Sequence, residues 1–300
     1  MVKKEQFVKK QHYVPQFSIR PFEISKGQCL SIDLGEVPLR TLLKKTENLM
    51  QDTDFYEVKD ASGNYVNRNE IELSYGKFEN QIASKFRRVI SLLDSEQADS
   101  EFKKMIKTNE WADKETTLLL HLILTLIRSP QVKSLIYDSE NSPSFLKPIF
   151  YRLMTTSQEM AVKLAKEHLI GSELEIALQF LKTGSESGLK LIAEHLLNNF
   201  QLRVYKVKGE QKLFLSDFPI LIQEFKDTDY LLPISPNICI STTKIQIKGE
   251  HILIDDQIIY LTDSEIDKIN QKVIQNTKNI LIIQKSSDIN FVKKILKNSL

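Results

Sequence analysis

The spacing of apolar residues changes character near Phe200, and that switch restricts the chain to a fold mixing helices with sheet. Upstream, Ile71, Phe78, Ile82, Phe86, Val89 and Ile90 recur at helical intervals, which predicts a helix from Glu70 to Leu93. A second, more apolar helix is expected from Trp111 to Arg128, ended near Ser129-Pro130. Gln158–Ile170 and Leu189–Leu197 suggest further helices, with a shorter or irregular segment between them and a loop over Gly184–Gly188. Downstream, Gln201–Val207 and Lys212–Leu215 alternate like the arms of a hairpin. Tyr230–Leu232, Ile238–Ser241, Ile245–Ile247 and His251–Ile254 add short strands. A helix over Ser264–Ile274, an apolar strand Ile280–Ile283 and an amphipathic helix Ile289–Leu296 follow.

The N-terminal third is mixed. Gln28–Leu34 and Asp54–Lys59 read as strands, the second turning through Ala61-Ser62-Gly63-Asn64 toward Tyr65-Val66. Pro15 forces Val14 to be extended and can itself open a short helical turn carrying Phe17, Ile19 and Arg20, before Pro21 halts it. His12 then sits on an extended approach to that turn. The expected class is α+β: a mixed N-terminal segment, a central helical region, and a C-terminal antiparallel β-rich region with terminal helices. A single domain over 1–300 suits this length, with 1–199 and 200–300 as two lobes of it.

With 41% hydrophobic and 27% charged residues, the chain has the composition of a folded soluble protein. A formal charge of +2 carries no nucleic-acid footprint by itself, although Lys3, Lys4, Lys9 and Lys10 cluster ahead of His12. Cys29 and Cys239 fit neither a disulfide framework nor a zinc site, so a reducing, cytoplasmic setting is expected. The apolar run Leu118–Ile127 is too short to span a bilayer, and no membrane association is expected. No His-Glu-x-x-His, Walker loop, dinucleotide glycine fingerprint or Gly-x-Ser-x-Gly elbow is present. Zinc-protease, NTPase, dehydrogenase and serine-esterase readings are weakened accordingly.

Few residues are left that look placed for chemistry. His12 can exchange protons near neutral pH. Glu72 and Glu79 lie seven residues apart on one helix face. Glu72 reads as solvent-facing, whereas Glu79 lies near the apolar boundary set by Phe78, Ile82 and Phe86. Arg128 either complements a helix C-terminus or clamps an anion with its planar fork. Ser216-Asp217-Phe218-Pro219 ends a strand, so Asp217 either faces a cleft or organises the turn by accepting backbone hydrogen bonds. His121, inside an apolar helix, reads as a hydrogen-bonded core residue.

These segments resemble the DUF4238 family of mostly bacterial proteins. Gln11-His12-Tyr13-Val14-Pro15-Gln16-Phe17 with Arg20 and Phe22 is similar to its opening signature. Ile71-Glu72-Leu73-Ser74 with Glu79, Arg128-Ser129-Pro130, Ser216-Asp217-Phe218-Pro219, Leu232-Pro233-Ile234-Ser235-Pro236, Asn270 and Asn276 are similar to its later motifs. Pro21 and Leu215 depart from it. The resemblance implies no reaction, but it links the separated motifs as one constellation.

The leading expectation is a hydrolase acting on nucleic acid or another phosphodiester. In it, His12, Glu79 and Asp217 are catalytic, while Arg20, Arg128 and Ser216 bind substrate. Glu79 and Asp217 could also coordinate a divalent ion such as Mg²⁺. The expected partner is nucleic acid or a small phosphorylated ligand. The alternative is a non-catalytic ligand-binding or protein-interaction module in which the same charges pair with each other.

Overall fold

Strand alternation after Phe200 builds a sheet that serves two cores at once. In the computed structural model, which describes residues 7–59, 62–66, 68–134, 158–182, 197–222, 230–248, 251–253 and 255–298, strand Phe200–Val207 lies between Ile259–Leu261 and Ile238–Lys244. Tyr230–Ser235 and Leu221–Ile222 extend the sheet beyond Ile238–Lys244. The Ile259–Leu261 pairing is parallel and the others are antiparallel. Leu202, Val204, Leu232, Ile234, Ile238 and Ile240 point to one face. Tyr205, Val207, Leu231 and Cys239 point to the other. This is the period-two pattern of a strand buried on both sides.

The first face packs with the helices Glu70–Asp94 and Trp111–Ile127, and the second with Asp263–Asn276 and Ile289–Asn298. The first core takes side chains from both sides of residue 200. Trp111–Ile127 is buried on most of its circumference, including Leu118, Leu119, Leu122, Ile123 and Leu124. Each such side chain contributes about 1.5–3 kcal/mol relative to exposure. No helix among the described residues is long and apolar enough to cross a membrane.

A second, four-stranded sheet orders Thr41–Lys45, Gln28–Asp33, Ile280–Ile283 and Leu215–Ser216, all antiparallel. It brings the two ends of the sequence together. Lys10–His12 pairs with Gln51–Thr53, which fixes the N-terminal motif to the loop that follows the Thr41–Lys45 strand. The architecture is α+β, as the change of period predicts.

Three expectations are corrected. Gln201–Val207 and Lys212–Leu215 do not form a hairpin. Both edges of Phe200–Val207 are already filled, so Leu215–Ser216 pairs with Ile280–Ile283 instead. The Asp54–Lys59 strand shrinks to Val58–Lys59, because Asp54 takes a left-handed φ of 53° in the turn before it. Gly171–Lys182 is a regular helix of 12 residues rather than an irregular segment. The expected loop over Gly184–Gly188 and all but the last residue of the Leu189–Leu197 helix lie outside the described residues.

His121 is the core histidine its surroundings predict. Its ring lies against Phe17 and Phe86, with Ser18 Oγ at 3.4 Å from Nε2 and Thr125 Oγ1 at 3.5 Å from Nδ1. Burial, reinforced by the Arg128 charge, pulls its pKa from 6.5 down to about 3. The unfolded chain therefore binds a proton that the folded chain refuses between those values. Stability is expected to fall as pH drops from about 6.5 toward 3. Urea titrations across that range should show a shallower slope for His121→Gln; an identical slope would remove His121 from the effect.

Candidate functional site

The N-terminal motif is held by its own first residue. Gln11 is fully buried, its amide donating to Glu57 Oε1 at 2.7 Å and accepting from Tyr56 N at 2.7 Å. Asn69, at a left-handed φ of 65° before the long helix, donates from its backbone and side chain to the same Glu57 carboxylate. These bonds fix the Lys10–His12 strand beside the start of Glu70–Asp94. Pro15 then opens the short helix Gln16–Ile19, with Ser18 N donating to Pro15 O at 2.9 Å. A 3₁₀ turn, Arg20–Phe22, continues it with Pro21 inside rather than ending it. Gln16 and Arg20, four residues apart, consequently share the side of this turn that His12 approaches.

A cavity of about 280 Å³ lies between this turn and the long helix. The turn side contributes His12, Gln16, Phe17 and Arg20. The helix contributes Glu72, Glu79, Asn80 and Ala83, and Arg128 closes the floor. Arg128 is 1% exposed, and each of its three guanidinium nitrogens donates a hydrogen bond. Nε donates to Tyr56 Oη at 2.8 Å, Nη1 to Glu79 Oε1, and Nη2 to the His12 carbonyl. The guanidinium also stacks 4.2 Å from the Tyr75 ring centre. Burial opposes its charge, but Tyr56, Glu79 and Tyr75 together outweigh that and hold it above its ordinary pKa range.

Glu72 differs from Glu79. Its Oε2 is buried with no hydrogen-bond partner, and desolvation raises the pKa from 4.5 to about 7. The Arg128 charge opposes that rise while Glu79 and Glu57 add to it. Near neutrality this group exchanges a proton readily. His12 moves the other way: burial lowers its pKa below 6.5, the Glu47 carbonyl and Glu79 resist, and Arg128 assists. Arg20 is exposed, and among the described residues no ion pair engages it. The arrangement thus offers a neutral imidazole, a carboxyl that can carry a proton, and one cation facing a small polar cavity.

Four of the six residues expected at a site meet here: His12, Arg20, Glu79 and Arg128. Ser216 and Asp217 do not line this cavity. Asp217 accepts from the backbone N–H groups of Lys278, Asn279 and Ile280 at 2.9, 2.7 and 3.1 Å. Its carboxylate anchors the entry to strand Ile280–Ile283. Ser216 donates to Phe218 O at 2.6 Å, closing the turn. Asp217 is therefore not brought beside Glu79, and among the described residues no three His, Cys, Asp or Glu side chains converge as metal ligands. Asp217→Ala is expected to destabilise the fold by about 2–4 kcal/mol, since three donors lose their acceptor. An unchanged denaturation midpoint would contradict this anchoring role.

Glu72, Gln16 and Asn80 are the polar cavity residues given no role from the sequence. Glu72 is not the solvent-facing residue its sequence context suggests, because it lines the cavity shared with the N-terminal turn, where burial desolvates its carboxyl. Its signal was the helix face shared with Glu79, which suits a carboxylate pair but equally suits two solvent-facing residues. Gln16 carried a signal as well, one turn ahead of Arg20.

No curated protein and no solved structure shows a significant match to the chain. A family described as "Protein of unknown function (DUF4238)" matches residues 10–288, a span that contains every residue of the cavity. The chain belongs to the DUF4238 family.

Proposed function

We propose that the cavity hydrolyses a phosphodiester, either in a nucleic acid or in a small phosphorylated molecule. Neutral His12 acts as general base and protonated Glu72 as general acid. His12 takes a proton from water as the water oxygen bonds to phosphorus. The bond to the departing oxygen breaks, and Glu72 gives its proton to that oxygen. The products are a phosphomonoester and an alcohol, and solvent returns the proton from His12 to Glu72. Arg20 pairs with the non-bridging oxygens. Arg128 does not reach the substrate in this scheme, because its donors hold Tyr56, Glu79 and the His12 backbone. It keeps His12 in place.

The observation that carries this reading is the unpartnered, buried oxygen of Glu72, with a pKa of about 7, in the same cavity as His12 and Arg20. Environments that push two titratable groups in opposite directions mark an acid–base pair. A second reading is anion binding without turnover. Arg20 favours it, as an exposed cation on the cavity that no ion pair engages among the described residues, whereas Arg128 is held by Tyr56, Glu79 and the His12 carbonyl.

The test incubates the full chain with single-stranded RNA, single-stranded DNA and bis(p-nitrophenyl) phosphate, with and without Mg²⁺. Cleavage should fall by at least about 100-fold in His12→Ala and Glu72→Gln. No cleavage of any substrate, or cleavage by both variants at the native rate, would sink the hydrolase reading. In the binding arm, affinity for the same single strands should weaken with salt through Arg20.

A further inference from the structure

His12 Nε2 lies 3.2 Å from the Glu47 carbonyl oxygen. A carbonyl can only accept, so this contact requires the proton of the neutral ring to sit on Nε2. Nδ1 makes no hydrogen bond to a described residue and is not among the buried, unpartnered atoms. We infer that the Glu47 carbonyl selects the Nε2–H tautomer of His12, leaving Nδ1 as the atom that accepts the proton during turnover, with Gln16 as a positioning residue. The inference deepens the hydrolase reading by naming the reacting atom, and its tautomer part stands without that reading.

The carbonyl is held firmly enough to make such a choice. Glu47 lies in the 3₁₀ turn Thr46–Asn48, closed by Leu49 N donating to Thr46 O at 3.2 Å. Thr46 Oγ1 donates to Glu23 Oε1 at 2.7 Å, and the other oxygen of Glu23 accepts from Gly27 N at 2.8 Å. Thr46 N donates to Gly27 O at 3.0 Å. The turn is thus tied to the segment that leads into Gln28–Asp33. On the ring's other side, Arg128 and Tyr56 both donate to the His12 main-chain oxygen, the latter at 2.9 Å. Backbone and ring are restrained independently.

Gln16 completes the arrangement. The structure places its side-chain amide nitrogen 3.5 Å from the ring Nε2. An amide NH₂ cannot donate to a nitrogen that is itself protonated. The Nε2–H tautomer therefore requires the amide, whose two ends have the same shape, to be turned over, so that its oxygen takes that position and shares the Nε2 proton with Glu47. Protonation of Nδ1 leaves both contacts intact, because Nε2 stays a donor in the imidazolium. The ring can gain and lose its working proton without turning.

Long-range ¹H–¹⁵N spectroscopy of the full native chain tests this, with His12→Ala identifying the His12 signals among the five histidines. Above the His12 pKa, Nε2 should resonate as a protonated, pyrrole-type nitrogen and Nδ1 as an unprotonated, pyridine-type nitrogen. The reverse pattern, or an averaged pair, would overturn the tautomer assignment whether or not the protein cleaves anything. In Gln16→Leu the separation between the two nitrogens should narrow as the second tautomer gains population. An unchanged separation would overturn the role given to Gln16. Absence of cleavage alongside the expected spectrum would instead remove the hydrolase reading.

Discussion

Arg128→Met is expected to destabilise the protein by about 3–5 kcal/mol, the usual cost of breaking a buried charge pair by removing one partner. The variant keeps side-chain volume but leaves the Glu79 carboxylate without its counter-ion. It also strips the Tyr56 hydroxyl of a donated bond and frees the His12 carbonyl on one side. Arg128→Lys should lose much of the same energy. An ammonium is a point donor, whereas here three nitrogens of a planar fork point in fixed directions and the plane stacks on Tyr75. Glu79→Gln is the milder change, about 1 kcal/mol, because Glu79 is 28% exposed and water can replace part of what is lost. Urea denaturation of the three variants decides the matter. If Arg128→Met unfolds at the native midpoint, the arginine is a bystander, and an anion-binding role for it becomes open again.

The two longest described helices were legible because each carries its own period, whereas Ala98–Lys107 and Gly171–Lys182 were not read as regular helices. Glu70–Asp94 needs no knowledge of its neighbours to show an apolar stripe, and Trp111–Ile127 declares its burial by composition alone. Strand partners were not legible in the same way. Lys212–Leu215 alternates well enough for a hairpin, but pairing depends on which edges remain open, and only the assembled sheet records that. The site divides along the same line. His12, Arg20, Glu79 and Arg128 stand out by residue type and local rigidity. Asp217 stands out equally, yet its two plausible roles have one sequence signature, and its three backbone donors come from residues 278–280. Glu72 presents the opposite case. Exposure is assigned to a glutamate on a helix by default, and the turn that shares its cavity lies more than fifty residues earlier in the chain.

Glu72→Gln should separate function from stability more sharply than any other single change. A carboxyl whose folded pKa lies above its unfolded value stabilises the fold only while it is protonated. For Glu72 the relevant window runs from 4.5 to about 7. As pH rises through it, the unfolded chain ionises first and the folded chain resists, so stability declines and the full cost is present above about 7. Glutamine cannot ionise. At pH 8 the variant should therefore be more stable than the native protein by about 1–3 kcal/mol, and near pH 4 the two should coincide. Activity should move the other way, falling about 100-fold or more as the acid is lost. The rate profile adds a second reading of the same group. Catalysis that needs neutral His12 and protonated Glu72 rises below 6.5 as His12 loses its proton, and falls near pH 7 as Glu72 does. Burial is the main cause of both limbs; Arg128, Glu79 and Glu57 modify it around Glu72, and the Glu47 carbonyl, Arg128 and Glu79 around His12. Residual activity in Glu72→Gln should lack the upper limb. A variant that is stabilised but fully active, with the upper limb unmoved, would leave Glu72 as a desolvated group without a catalytic task. A variant that is inactive and stabilised would identify Glu72 as a carboxyl retained for chemistry at a cost to the fold.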